Sequence, residues 1–191
     1  YGSIHFPSLI LRGDLRAVSL TLARLPALAT VAVGAGATRQ RGDAWFIREI
    51  AHYIYAGDTA LHVAAAAFRR DVAEQLGRRG AACRARNRRG AEPLHYAADA
   101  NRPSPDAQAE TIAYLIDAGA DPNARDNSGV APLHRAVRTR PAPAVQPLLA
   151  GGADVRQPNH AGSTPLHLAV QTTGRGGSGS PKARDQQAAI V

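Results

Sequence analysis

Apolar residues in this chain fall into short blocks with helical spacing, cut at nearly regular intervals by glycine and proline. Leu11, Leu15, Val18 and Leu22 recur three or four apart, with Leu25 three further on. Gly13-Asp14 interrupts that run and Pro26 ends it, which predicts a short helix and then a second near 14–25. Residues 31–43 are rich in Ala, Gly and Arg, have no period, and read as a long loop. Phe46, Ile50, Tyr53 and Ile54 share one helical face, so 44–55 is expected to be a helix leading straight into Gly57. Core packing and a partner-facing aromatic patch with Tyr53 and Tyr55 both remain open for Trp45 and Phe46. Further on, helices are expected in pairs: about 60–67 with 71–78, then 107–118, then one near Pro143 and Pro147 that should be short or bent, then 165–171. Gly77 weakens the second helix of the first pair. Pro103 and Pro105 make the stretch from Asp99 to Asp106 a loop.

A second regularity overlies the first. Ser163-Thr164-Pro165-Leu166-His167-Leu168-Ala169 echoes the stretches around His62, His95 and His134. The four histidines are 33, 39 and 33 residues apart, and Gly57, Gly90, Gly129 and Gly162 each precede one by five positions. Gly80-Ala81, Gly119-Ala120 and Gly152-Ala153 lie 15 residues before the last three histidines, in the same register. Thr59 and Thr164 sit where a helix N-cap is wanted, and Pro165 where a first helical residue is wanted. Glu92 can still accept an N-terminal hydrogen bond at the equivalent place; Ala131 cannot.

This 33-residue period with its T-P-L-H-x-A core resembles the ankyrin repeat family, in a bacterial-type version, over roughly residues 57–170. The resemblance implies an all-α fold, an ankyrin-repeat solenoid of helix-turn-helix units with short β-hairpin fingers. It implies a degenerate N-terminal capping unit and loop over 1–43 and repeats over 44–170. Over 171–191 it implies a flexible insertion and the start of a truncated final outer helix. The predicted helix at 44–55 would replace the finger found between ordinary repeats. The resemblance also makes His62, His95, His134 and His167 structural groups that tie each cap to the next repeat's backbone.

Composition narrows the function. The chain has 191 residues and a net charge of +8, with 22 arginines and one lysine. Residues 1–90 hold 14 arginines against 6 acidic residues, whereas residues 91–191 balance to zero. An acidic partner or nucleic acid would fit this bias, and so would a solvated surface encoded by a GC-rich genome. One cysteine, Cys83, rules out an internal disulfide framework, and no apolar run reaches transmembrane length. A cytoplasmic monomer is expected. The start at Tyr1 and the absence of methionine suggest a fragment or processed chain.

Catalysis is not expected. The glycine-rich stretch 174–180 follows a helix and lacks the Lys-Ser/Thr pair of a phosphate loop. The histidines are one repeat apart, too far for joint metal ligation, so no cofactor or metal is expected. No nucleophile elbow or Cys/His pairing is visible. The expected role is to bind a partner protein on the concave face of fingers and inner helices. A regulatory arm of a larger, catalytic protein is the alternative; a weak nucleic-acid surface is a third reading. The family's variable positions carry over to Arg86, Arg88 and Arg89, to Arg125, Asn127 and Ser128, to His160, and to Asp99 and Arg138. Arg84, Arg86, Arg88 and Arg89 fall within six residues of one finger tip. Such a tip has no room to neutralise them, so they are expected to project together toward an acidic segment of the partner, with Tyr53 and Tyr55 adjoining.

Overall fold

The computed structural model describes residues 5–99, 104–139 and 142–171. Within them the chain forms paired helices. The first pair is α1 (His5–Arg12) and α2 (Leu15–Arg24), the second α3 (Ala60–Ala66) and α4 (Arg70–Arg78). Next come α5 (Pro93–Ala97) with α6 (Pro105–Asp117), and α7 (Pro132–Thr139) with α8 (Ala142–Ala150). A last inner helix, α9, spans Pro165–Gln171. The expected loop over 99–106 falls partly outside the described residues and is shorter than expected, since α6 already begins at Pro105; the expected insertion and outer helix after residue 171 lie wholly outside them.

Local chemistry sets these boundaries. The Asp14 side chain accepts the Ala17 N–H at 2.9 Å and caps α2. Proline opens α5, α6, α7 and α9, where its missing N–H costs nothing. Pro147 lies inside α8 and withholds one ladder hydrogen bond, while Pro143 sits harmlessly in the first turn.

Inner helices stack as a row, α1 on α3 on α5 on α7 on α9, and outer helices as a second row, α2 on α4 on α6 on α8. Ala64, Ala65, Ala97, Ala98 and Ala136 are buried where inner helices approach closely, while Leu61, Leu76, Leu94, Ile112, Leu115 and Leu148 fill the space between the rows. Each such fully buried leucine or isoleucine contributes about 1.5–3 kcal/mol. The α1–α2 unit belongs to the stack: Ile10 and Leu22 are buried, and the Arg69 guanidinium donates to the Leu11 carbonyl at 3.0 and 2.7 Å.

Gly77 has a packing role that the sequence hides. A Cβ there would come within 2.6 Å of the Tyr114 hydroxyl, so the missing side chain makes room for Tyr114 of the next outer helix. Leu76, fully buried beside it, supplies the apolar contact.

The expected helix at 44–55 is not formed. Instead β1 (Phe46–Ile47) pairs antiparallel with β2 (His52–Tyr53), with Phe46 opposite Tyr53. Ala51 takes a left-handed conformation (φ 48°), incompatible with a continuous helix. Ile50 and Ile54 are buried whereas Phe46 and Tyr53 face solvent, so the presumed single face is split. The first finger is therefore present, enlarged by residues 31–45. That segment lies along the chain at 54–58 through Val33 N–H to Asp58 O (2.7 Å), Gly57 N–H to Val33 O (2.7 Å) and Ala37 N–H to Ile54 O (2.7 Å). Among the described residues no helix is long and apolar enough to cross a membrane.

Candidate partner-binding groove

The fingers are fastened sideways into a row. At the tips of the three later fingers an Asx side chain folds the turn: Asn87 Oδ1 accepts from Arg89 and Ala91, Asp126 Oδ1 from Ser128 and Val130, and Asn159 Oδ1 from Ala161 and Ser163, all at 2.8–3.1 Å. Adjacent tips join through Arg88 N–H to Ala56 O, Asn127 N–H to Arg89 O and His160 N–H to Ser128 O. Gly90 is needed for this approach: it has φ 72°, and a Cβ would lie within 3 Å of the Asn127 backbone nitrogen.

Below the fingers, each repeat histidine joins two units. Nδ1 of His62, His95 and His134 accepts the N–H of Thr59, Glu92 and Ala131 at 3.1–3.2 Å, which places the ring proton on Nε2. Nε2 then donates to the carbonyls of Ala91 (3.2 Å), Val130 (3.0 Å) and Ser163 (3.0 Å) in the next repeat. Burial lowers the pKa of all three rings, to about 4 for His95. Thr59 and Glu92 complete reciprocal capping boxes, and Thr164 accepts from the His167 N–H. Ala131 lacks an acceptor, yet its own N–H is still held by His134.

Between the first finger and α7 lies a groove of about 550 Å³. His52, Tyr53 and Tyr55 form one wall, Ser128 and Val130 the other, and Tyr96, Asp99, Asp126 and Arg135 the floor. Arg135 stands at the variable position of the motif, where other repeats have Val63, Tyr96 and Leu168. It is buried, and donates Nη1 to Asp99 at 2.9 Å and Nη2 to Asp126 at 3.1 Å. Burial alone would raise both carboxylates. For Asp99 the bonds and charges of His52 and Arg135 more than reverse it; for Asp126 the N–H groups of Ser128 and Val130 and then Arg135 do so. Both stay below the ordinary carboxylate range. Arg135 is held charged by the same pair against its own burial.

A third acid, fully buried, supports the wall. Asp58 accepts the Tyr96 hydroxyl (2.8 Å), the Asn87 amide (2.8 Å) and the Tyr55 N–H (2.7 Å). Burial and the Asp58 charge raise the Tyr96 pKa, so the phenol keeps its proton and donates it. The His52 ring packs 4.2 Å from Tyr96.

The rim differs. Arg89 is exposed, lies 5.0 Å over the Tyr55 ring, and donates to the Tyr55 hydroxyl at 2.9 Å. Arg138 has 60% of its side chain exposed and approaches Asp99 only to 3.8 Å. Phe46 and Tyr53 pack at a tilt with ring centroids 4.8 Å apart and are 39% and 38% exposed. Trp45 is half-buried against the core. Core packing thus holds for Trp45, but not for Phe46.

Of the residues singled out by sequence, the groove brings together Tyr53, Tyr55, Arg89, Asp99, Ser128 and Arg138. The four finger arginines do not project together. Arg84 pairs with Asp121 at 3.2 Å, Arg86 donates to the carbonyls of Gly90 and Arg125, Arg88 to that of Ala37 at 2.6 Å, and Arg89 lies on Tyr55. Neighbouring fingers supply acceptors that an isolated tip would lack. Arg125 likewise donates to Pro158 O and the Asn127 amide to Arg88 O, along the row of fingers. Sequence reasoning passes over Arg135, Asp126, Asp58 and His52. The tip residues Asn87, Asp126 and Asn159 did carry a signal, since they recur at 39 and 33 residues, in register with the histidines.

Paired helices, laterally bonded fingers and histidine bridges at a fixed period define a helical solenoid of repeats with a concave finger face. The chain belongs to the ankyrin repeat family: the family's description, ankyrin repeats in three copies, matches residues 36–126 and 104–176. Members of this family are generally protein–protein interaction modules. A comparison with curated proteins gave no match.

Proposed function

We propose that the groove binds a segment of a partner protein, and that the segment is acidic. One observation carries this reading. In the groove floor Asp126 is buried, Asp99 has only 13% of its side chain exposed, and both are compensated by Arg135, while the charges left exposed along it, Arg89 and Arg138, are cationic. A guanidinium offers paired donors that match a carboxylate. The exposed Tyr53 ring, which lines the groove with Arg89 and packs on Phe46, gives an apolar contact of the kind that anchors interfaces. Binding rather than proton transfer is favoured because Asp99 and Asp126 are held ionised, away from the near-neutral range a general acid or base needs.

The test is to select peptides from a displayed random library on the purified protein and map the best binder by amide chemical shifts. Acidic sequences should dominate, with shifts clustered at the hairpin, at Arg89 and along α7. Selected peptides without acidic residues, or shifts confined to the outer helices, would refute the reading.

A further inference from the structure

A second cleft, of about 610 Å³, opens on the other side of the first finger. It shares Tyr53, Tyr55 and Arg89 with the groove and is otherwise bounded by the 37–43 segment and Arg88. We propose that this cleft is a separate subsite that receives acidic side chains of the same partner segment after it crosses the Tyr53–Tyr55 wall; the inference rests on the groove reading above.

The cleft is a built feature. Its outer wall is pinned by the Ala37–Ile54 hydrogen bond, and a Cβ at Gly36 would strike the Tyr55 and Ala56 backbone at 2.4–2.6 Å, so this segment lies directly on the finger. Three guanidinium groups face the space, from Arg39, Arg88 and Arg89, against the single carboxylate of Asp43. Arg88 is held by the Ala37 carbonyl and Arg89 by Tyr55, each through one described donor, so most of their N–H groups stay available in fixed positions. Arg39 makes no hydrogen bond or ion pair among the described residues. The Tyr55 hydroxyl accepts from Arg89 and keeps its own proton to donate. The Thr38 hydroxyl, which accepts the Arg41 N–H at 3.1 Å, does the same. Donors thus converge on a space with little competing negative charge, the arrangement that suits carboxylates.

Ring geometry favours a peptide over a single-stranded nucleic acid. Arg89 covers one face of Tyr55, and Phe46 and Tyr53 are tilted 55° into each other. Neither arrangement leaves the open parallel faces on which successive bases stack.

The experiment uses a blocked peptide of glutamate residues around one phenylalanine, a lysine counterpart and an oligothymidylate. Each is titrated into the full chain at low salt, with the arginine side-chain N–H resonances and Trp45 fluorescence as readouts. The glutamate peptide should shift Arg39, Arg88 and Arg89 saturably, and Arg39→Gln should weaken it by about tenfold, the loss of one charge-assisted contact. Arg39 lies in an exposed segment, and an unchanged circular dichroism spectrum will confirm that its variant folds. If Arg138→Gln weakens the peptide and Arg39→Gln does not, the cleft inference falls while the groove reading stands. If the lysine peptide binds as well, or no arginine resonance moves, both fall. Oligothymidylate binding more tightly than the glutamate peptide would also overturn the inference.

Discussion

The floor and the rim of the groove are built from the same residue type put to opposite uses. Arg135 and Arg138 are one turn apart on α7. The first is 8% exposed and locked between two carboxylates; the second extends into solvent near one of them. A buried charge is stable only with full compensation, so the floor must satisfy itself and has nothing left for a ligand. An exposed charge contributes little to folding and remains available. Floor residues should therefore govern stability, and rim residues affinity.

The largest expected effect comes from breaking the floor. Arg135→Ala leaves Asp99 and Asp126 without their shared countercharge and should cost about 3–5 kcal/mol in urea unfolding. Arg138→Ala should change stability by less than about 1 kcal/mol. Adding Asp99→Asn and Asp126→Asn to Arg135→Leu should restore most of the loss, because the triad is then removed as a unit and an asparagine at the tip resembles Asn87 and Asn159. Equal costs for the two arginines would erase the distinction between floor and rim.

Acid sharpens it next. The histidines have folded pKa values below the unfolded value near 6.5, so the unfolded chain binds protons that the folded chain refuses. Their stability contribution is complete above pH 6.5 and declines as pH falls toward the folded value, about 4 for His95. That ring alone accounts for roughly 3 kcal/mol across the window, with His62 and His134 acting in the same direction. Asp99 and Asp126, depressed below the ordinary carboxylate value, add their loss at still lower pH. Unfolding followed from pH 7 to pH 4 should show this slope, and His95→Ala should flatten it.

A third test sets His95 against His167. His95→Ala breaks a buried bridge between repeats and should cost about 1–3 kcal/mol. His167 is exposed and bonds only locally, to Thr164, among the described residues, so the same change there should cost less. Thermal unfolding of the two variants measures the difference.

The smallest effect concerns a buried group left incomplete. Glu92 stands where the motif has threonine, and its Oε2 is buried without a partner. Burial raises its pKa. Glu92→Thr keeps an acceptor for the helix cap and removes the unsatisfied oxygen, so it should stabilise the chain by about 1 kcal/mol at neutral pH.

Much of the fold was legible because the repeat writes itself twice, in the T-P-L-H-x-A stretches and in the Gly-Ala marks. The helices expected at 60–67, 71–78, 107–118 and 165–171 fall within two residues of those bounds. The first finger was not legible: Phe46, Ile50, Tyr53 and Ile54 are spaced for a helix, and only packing of Ile50 and Ile54 against the stack selects the hairpin. The groove was legible in part. Family positions point to Asp99, Ser128 and Arg138, but the Asp99–Arg135 and Arg135–Asp126 pairs join residues 36 and 9 apart, and no local pattern announces them. The finger arginines misled for a related reason, because their acceptors lie on neighbouring fingers.

The central claim is that the exposed cations of the rim, and not the buried ones of the floor, hold the partner. Its most direct test is a calorimetric titration of one selected acidic peptide into the wild type and into Arg89→Glu/Arg138→Glu, at low and at moderate salt. The claim predicts an unfolding temperature close to wild type for the variant, an affinity at least about tenfold weaker, and a reduced dependence on salt. An unchanged affinity with an unchanged salt slope would contradict it.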